Sequence, residues 1–223
     1  MIEPLVILGR GGHGRELLEL ILALNADARR YELLGFVDDA ATGAHEEVHG
    51  YPVLGTRAWL AARSPAPLVA LGVGVSAARA RVVAGLASLG VRFPTLVHPR
   101  ASVGRHVRMD EGVIVCDGAA VTTDVTLGAH AHVNVAASVS HDCVLGRFVS
   151  LAPGVRLAGN VRLGDGCDVG VAASAIPGVE VGEWSIIGGG AVLTASLPAN
   201  VTAVGVPARV TRTRPPGWQL RTP

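Results

Sequence analysis

From residue 103 to residue 193 large apolar side chains recur at every sixth position: Val103, Met109, Val115, Val121, Leu127, Val133 and onward to Leu193, sixteen in succession with no slip of phase. A second series follows four residues behind, small or β-branched: Val107, Val113, Ala119, Val125, Ala131, Ala137, Cys143, Val149 and their successors. Glycine often stands directly after the large residue, as at Gly104, Gly128, Gly146, Gly164, Gly170, Gly182 and Gly188. A period of six belongs neither to a helix nor to a simple strand. It predicts a solenoid in which each six-residue unit makes one short strand and one turn. The large and the small residue point inward, and glycine lets the backbone bend. No unit can bury its inner face alone, so the units stack and share a core. A β-sandwich is the competing reading of a Val/Leu/Gly-rich run, and the unbroken period argues against it.

The pattern ahead of the repeats is different. Residues 4–8 form an apolar strand, followed by Gly9-Arg10-Gly11-Gly12-His13-Gly14 and then helical spacing at Leu17, Leu18, Ile21 and Leu22. Strand, glycine loop and helix open a nucleotide-binding βαβ unit. The loop is either a phosphate cradle at a helix N-terminus or a plain tight turn. A second strand, 33–37, ends at Asp38-Asp39, where such folds commonly grip a ribose or base; a solvated turn is the equal reading for Asp39. Residues 40–50 read as a loop and 51–55 as a short strand or turn. Helices are expected around 57–63 and over 76–89, and further strands at 67–73 and 92–97. This first unit is too short for a full dinucleotide fold, which needs two such halves.

Three units result: a Rossmann-like α/β domain at 1–98, an all-β parallel helix at 99–210 and a flexible tail at 211–223. Aromatics make up 4% of the chain, in keeping with a core too narrow for rings. The formal charge of +1 argues against nucleic acid as the main partner. No apolar run is long enough to span a membrane and no signal peptide precedes the first strand, so a cytoplasmic protein is expected. The three cysteines lack metal-ligand spacing, no His/Cys/Asp cluster suits zinc, and no metal is expected.

The glycine loop, the strand end Gly35-Phe36-Val37-Asp38-Asp39 and the coil Ser138-Val139-Ser140-His141-Asp142-Cys143-Val144-Leu145-Gly146 together resemble one family. It is the nucleotide-sugar acetyltransferase group of the hexapeptide-repeat superfamily, related to the sialic acid O-acetyltransferases and to the N-acetyltransferases acting on UDP-4-amino-sugars or GDP-perosamine. The resemblance implies a left-handed parallel β-helix of about five coils, acetyl-CoA as co-substrate, and a homotrimer whose sites lie in grooves between neighbouring prisms. It also extends to Val204-Gly205-Val206-Pro207-Ala208-Arg209, which is similar to the closing segment of many such enzymes.

Acetyl transfer needs a base that takes a proton from the attacking amine or hydroxyl, and histidine suits neutral pH. His141, two residues past the inward Val139, should project outward from a turn. The resemblance implies that His141 is the base and that Asp142 orients it, with Asp standing where most relatives carry Glu. It further implies that the backbone amide of Gly159 faces the oxyanion, and that Val171 and Gly189 lie along the pantetheine arm. Ser150 occupies the place where some relatives carry a second histidine beside the acetyl-CoA site. Asn134 matches a polar residue near the acetyl group, or is a stacked turn asparagine. Gly11, Gly12, His13, Gly14, Asp38 and Asp39 would hold the nucleotide sugar, with His13 reaching a phosphate or the sugar, or serving only as a turn histidine. His130 and His132 read as solvated turn residues.

The expected activity is acetyl transfer to the amino group of a UDP- or GDP-linked 4-amino-sugar by direct attack, since the parity of Cys143 sends that thiol inward. Sialic-acid-type O-acetylation, a non-catalytic nucleotide-sugar scaffold and a nicotinamide enzyme are the alternatives weighed. The last is disfavoured by the missing second βαβ half.

Overall fold

The computed structural model describes residues 2–41 and 46–220. Strand β1 (Glu3–Leu8) lies at the heart of the first module, and Leu5, Val6 and Ile7 are fully buried. A parallel strand covered on both faces reads as a continuous apolar run, which is why β1 shows no alternation. Helix α1 (Gly12–Asp27) follows, then β2 (Tyr31–Val37), β3 (Glu47–Val48), β4 (Tyr51–Gly55), α2 (Arg57–Ala61), β5 (Leu68–Leu71) and α3 (Ser76–Leu86). The sheet order is β3-β4-β2-β1-β5, parallel except for the β3–β4 pair. Strand β3 was not anticipated; it falls in the stretch read as loop, and residues 42–45 of that stretch lie outside the described residues.

The strand expected at 92–97 is not part of this sheet. Only Leu96–Val97 is extended, and it pairs with Ile114–Val115 as the opening strand of the second module. Leu96, Ile114 and Cys116 share one apolar cluster with Leu17, Leu20 and Ile21 of α1. The two modules are thus joined through a common core as well as through the chain.

The second module is a left-handed β-helix with three faces. On the first face His132–Val133 pairs with Ser150–Leu151, and that strand with Asp168–Val169. On the second, Ser138–Val139 pairs with Arg156–Leu157. On the third, Val144–Leu145 pairs with Arg162–Leu163. Partners stand eighteen residues apart, so three six-residue units close one coil. The inward series is buried as its period requires: Val121, Leu127, Val133, Val139 and Leu145 are at most 1% exposed, and the small series fills the gaps. Val103 and Met109, on the first coil, are only partly covered.

Two features of the turns were hidden in the sequence. From residue 112 onward each turn carries one residue in the left-handed region, again with period six, as at Gly112, Gly118, Asp124, His130, Ala136, Asp142, Phe148 and Gly154. Glycine, asparagine and aspartate tolerate that region best. The glycines that follow the large inward residues have another cause. A Cβ at Gly104 would overlap the Thr122 carbonyl, and one at Gly128 or Gly146 would press on the next coil's backbone. Close approach of successive coils, not bending, demands them.

Residues 211–220 of the segment expected to be a flexible tail are engaged; residues 221–223 lie outside the described residues. Arg209–Thr213 runs antiparallel to Val201–Val204, and a short 3-10 turn, Trp218–Leu220, reaches back to α3, where Arg81 Nη1 donates to the Gln219 carbonyl at 2.6 Å.

Candidate active site

The loop between β1 and α1 is built from close approaches. Gly9 has φ 102° and donates to the Val37 carbonyl at 2.8 Å. A Cβ at Gly14 would overlap the Gly9 carbonyl oxygen, so only glycine lets α1 start this near to β1. Gly11 and Gly12 are exposed at the start of α1, and no side chain caps that helix. Its free N–H groups and dipole suit an anion.

Asp38 and Asp39 sit at the end of β2 as expected, but both carboxylates are occupied by protein groups. Asp38 accepts from the Arg10 amide at 2.9 Å and the Ala40 amide at 2.8 Å. Asp39 pairs with Arg57 at 2.7 Å. They shape the loop's mouth. Arg10, which the motif reading passed over, is itself held there by Glu46 and the Ala40 carbonyl.

A cleft of about 420 Å³ opens between α1, the β5–α3 loop and the first face of the β-helix. His13, Gly74, His132, Asn134, Ser150 and Asp168 line it, with Leu151, Val169 and Ile187 among its apolar walls. His132, Ser150 and Asp168 are successive outward positions on neighbouring strands of one face. His13 is held at both ring nitrogens, by Glu16 at 3.1 Å and by His132 Nδ1 at 3.1 Å. His130 and His132, expected to be solvated, are 2% and 3% exposed. His130 stacks on Phe148 and meets the edge of Phe93. Burial, aided by Arg79 and Arg147, pushes its imidazole down to about 4. Burial also drives His132 well below the usual range and lowers His13 against the pull of Glu16.

The seam beneath the cleft is organised by Arg79 of α3, which is fully buried. Its Nε donates to the His130 carbonyl at 3.0 Å, Nη1 to Val73 and Gly74 at 2.9 and 2.8 Å, and Nη2 to the Phe148 carbonyl and the Ser150 hydroxyl, each at 2.9 Å. Burial pushes the guanidinium down to about 10, so it stays charged at neutral pH. Ser76 donates through its amide and hydroxyl to Asp168, at 3.3 and 2.6 Å, so a carboxylate of the β-helix caps α3 of the other module. Burial raises the Asp168 carboxyl, and the Ser76 bonds oppose it. Ser150, expected beside acetyl-CoA, has its hydroxyl engaged in this seam. It accepts from Arg79 and donates to the Gly74 carbonyl, each at 2.9 Å, with the Ser76 hydroxyl 3.1 Å away. Asn134 accepts from the Val135 amide at 2.7 Å, a local turn bond, with its side chain still at the cleft.

His141 is elsewhere, at the corner between the second and third faces. It is exposed, as its parity requires, and its Nδ1 lies 2.7 Å from Asp142 Oδ2. A carboxylate only accepts, so in the neutral ring this bond places the proton on Nδ1 and leaves Nε2 as an acceptor. Gly159 lies one coil further along the same corner. A Cβ there would run into the His141 ring, so the imidazole rests directly on the Gly159 backbone. Cys143 is fully buried, and its thiol donates to the Ala158 carbonyl at 3.1 Å. Val171 and Gly189 occupy a third location, the corner between the first and second faces, where Val171 is 56% exposed. Within one chain, therefore, the sequence-predicted residues fall into four groups: the glycine loop with Asp38 and Asp39, the cleft, the His141–Gly159 corner and the Val171–Gly189 corner.

Arg79, Ser76, Asp168, Glu16 and His132 were missed. The signal for His132 and Asp168 was an eighteen-residue column of outward positions, Ile114, His132, Ser150, Asp168 and Ile186, lying within the six-residue period.

Comparison with known proteins adds to this geometry. Residues 4–86 match the family described as the PglD N-terminal domain. GDP-perosamine N-acetyltransferase of Escherichia coli O157:H7 is 32% identical over 216 residues, 94% of this chain and 96% of that protein. The acetyltransferase domain of PglB from Neisseria gonorrhoeae FA1090, solved in complex with acetyl coenzyme A, superposes with a TM-score of 0.86 at 34% identity, over 94% of this chain and 100% of that one. PerB from Caulobacter crescentus, in complex with CoA and GDP-perosamine, superposes with a TM-score of 0.85 at 34% identity, over 95% and 99%.

Proposed function

Because this chain belongs to the hexapeptide-repeat nucleotide-sugar N-acetyltransferases, we propose that it transfers the acetyl group of acetyl-CoA to the amine of a UDP- or GDP-linked 4-amino-sugar, with His141 as general base. The observation that carries this reading is the His141–Asp142 pair seated on Gly159. Asp142 fixes the tautomer, and the bare Nε2 is free to take a proton as the amine attacks the thioester carbonyl. The Gly159 amide is assigned to the oxyanion, and Val171 and Gly189 to the pantetheine arm. The collapsing intermediate expels the thiolate of CoA, which receives the proton from His141. No covalent acyl-enzyme is needed, since Cys143 is sealed in the core.

The nucleotide sugar is assigned to the α1 N-terminus and the cleft, with its diphosphate at Gly11–Gly14 and its sugar between His13 and Asn134. His141 lies at a different corner from that cleft, so the site is completed by a second subunit. The proposed assembly is a homotrimer of parallel prisms, in which each His141 corner would meet the cleft side of a neighbour. A cytoplasmic location follows from the soluble substrates; among the described residues no helix is long and apolar enough to cross a membrane.

The test is turnover with acetyl-CoA and a panel of UDP- and GDP-linked 4-amino-sugars, followed by thiol release. His141→Ala is expected to lose about 10²–10⁴-fold in kcat. Near wild-type turnover would refute the base assignment. Light scattering should give three chains per particle, and an active monomer would rule out the shared site.

A further inference from the structure

The peptide that joins Ala158 to Gly159 is gripped from inside the β-helix. The Sγ of Cys143, one coil earlier at the same corner, lies 3.1 Å from the Ala158 carbonyl oxygen. Cys143 is fully buried, and burial pushes its thiol up, so it keeps its proton at neutral pH and donates. A trans peptide is planar, and its C=O and N–H point to opposite sides. A carbonyl turned toward a core thiol therefore turns the Gly159 N–H away from the core. Among the described residues that N–H has no hydrogen-bond acceptor. Glycine restrains the peptides beside it less than any other residue, so a tether on this one has something to restrain.

Packing alone does not call for sulfur at this position. Its equivalents one coil before and one coil after are Val125 and Val161, both fully buried. Valine fills the same inward place and donates nothing. The chain also makes the same kind of bond a second time. Cys167 Sγ donates to the Gly182 carbonyl at 3.3 Å, and in both cases the acceptor stands fifteen residues ahead. Cys167 belongs to the corner between the third and first faces, away from His141. The bond is a geometric option open to any inward cysteine. Only at Cys143 does it fall on the peptide beneath the His141 ring.

We propose that Cys143 is a positioning residue for acetyl transfer, its thiol fixing and polarising the Ala158–Gly159 peptide whose N–H faces the thioester carbonyl. A hydrogen bond accepted at one end of an amide strengthens the donor at the other end. As the thioester carbon is attacked, its oxygen gains negative charge, and a donor already aimed there needs no reorganisation. The thiol is a weak donor, so its share is smaller than that of a whole oxyanion contact. Cys143 touches neither substrate and acts only through the peptide it holds. The inference rests on the assignment of Gly159 to the oxyanion above, and His141 keeps its separate role as base.

The experiment compares wild type with Cys143→Val, Cys143→Ser and Cys167→Val. Valine removes the donor and serine keeps one. For Cys143→Val, kcat is expected to fall by about 3–10-fold, the scale of one hydrogen bond. KM for both substrates should stay within about twofold, because the tether acts on the transition state. Cys143→Ser should recover most of the loss, and Cys167→Val should match wild type. A second readout does not respond to packing: the carbonyl stretch of acetyl-CoA, labelled with carbon-13 at the thioester carbon and bound without acceptor, in infrared difference spectra. The Gly159 N–H should lower that stretch in wild type. Cys143→Val should move it back toward the value of free acetyl-CoA, and Cys167→Val should leave it alone. An unmoved stretch in Cys143→Val, or an equal loss of kcat in the two valine variants, overturns the tether. A wild-type stretch equal to that of free acetyl-CoA overturns the assignment of Gly159, and the tether with it. His141→Ala, run alongside, keeps the base assignment separate: full turnover there would remove the base and leave the infrared comparison readable on its own.

Discussion

Replacing Arg79 with methionine is the sharpest test of how the two modules are held together. Methionine fills much of the same volume but donates nothing. The carbonyls of His130, Val73, Gly74 and Phe148 and the Ser150 hydroxyl would each lose a donor that now stands 2.8–3.0 Å away. Two effects compete. Burying a guanidinium is costly, as the lowering of Arg79 to about 10 reflects, and removing a buried charge relieves that cost. Against it, the acceptors remain, and orphaned buried acceptors cost about 1–3 kcal/mol each, though not additively. The second effect should win here because every partner is a backbone or hydroxyl group that the substitution leaves in place. The expected loss is about 3–5 kcal/mol, the range seen when one side of a buried network is removed. For a chain of this size that corresponds to a fall in Tm of roughly 6–20 °C. Arg79→Lys, with one compact ammonium in place of a planar fork, should fall in between. Scanning calorimetry of the three proteins decides the matter. A Tm for Arg79→Met within about 4 °C of wild type would show that the seam relaxes and that the network is not what joins the modules.

Other perturbations test the remaining parts. Gly159→Ala puts a methyl where the His141 ring rests, and should cut turnover by about 10–100-fold with Tm unchanged; wild-type turnover would refute the contact. Gly14→Ala forces the first loop open against the Gly9 carbonyl and should raise KM for the nucleotide sugar about tenfold or more, with acetyl-CoA affinity unchanged by calorimetry; equal effects on both ligands would contradict the assignment of that loop. Acid should destabilise the fold through His130. Its folded value of about 4 lies below the unfolded value, so the unfolded chain binds the extra proton first. The stability it contributes is complete above about pH 6.5 and is lost as pH falls toward 4, by about 2 kcal/mol after allowance for solvent screening. His130→Asn, which tolerates the left-handed turn, should make that slope shallower in denaturant titrations at pH 7 and pH 4.5, the remainder belonging to the buried His132; an unchanged slope would show that His130 contributes nothing to it.

Periodicity settled a good deal before any coordinates. The six-residue repeat predicted the solenoid, its inward faces, the outward projection of His141 and the inward thiol of Cys143, because burial parity is a local property of the pleat. The glycine loop was legible for a similar reason: strand, tight turn and helix are adjacent in sequence, and Gly14 must be small to let them meet. What the sequence could not show is which outward residues become neighbours. His132, Ser150 and Asp168 are eighteen residues apart and touch the first module only because the chain winds three units to a coil. Likewise, nothing local marks Arg79 as buried, since a lone arginine on a helix is ordinarily solvated and becomes a rivet only when six acceptors from both modules surround it. The same physics made Leu96–Val97 join the β-helix rather than the α/β sheet, and drew the C-terminal residues back onto α3. Short-range pattern determined the strands and turns; packing between distant segments alone decided the cleft, the seam and the separation of His141 from both.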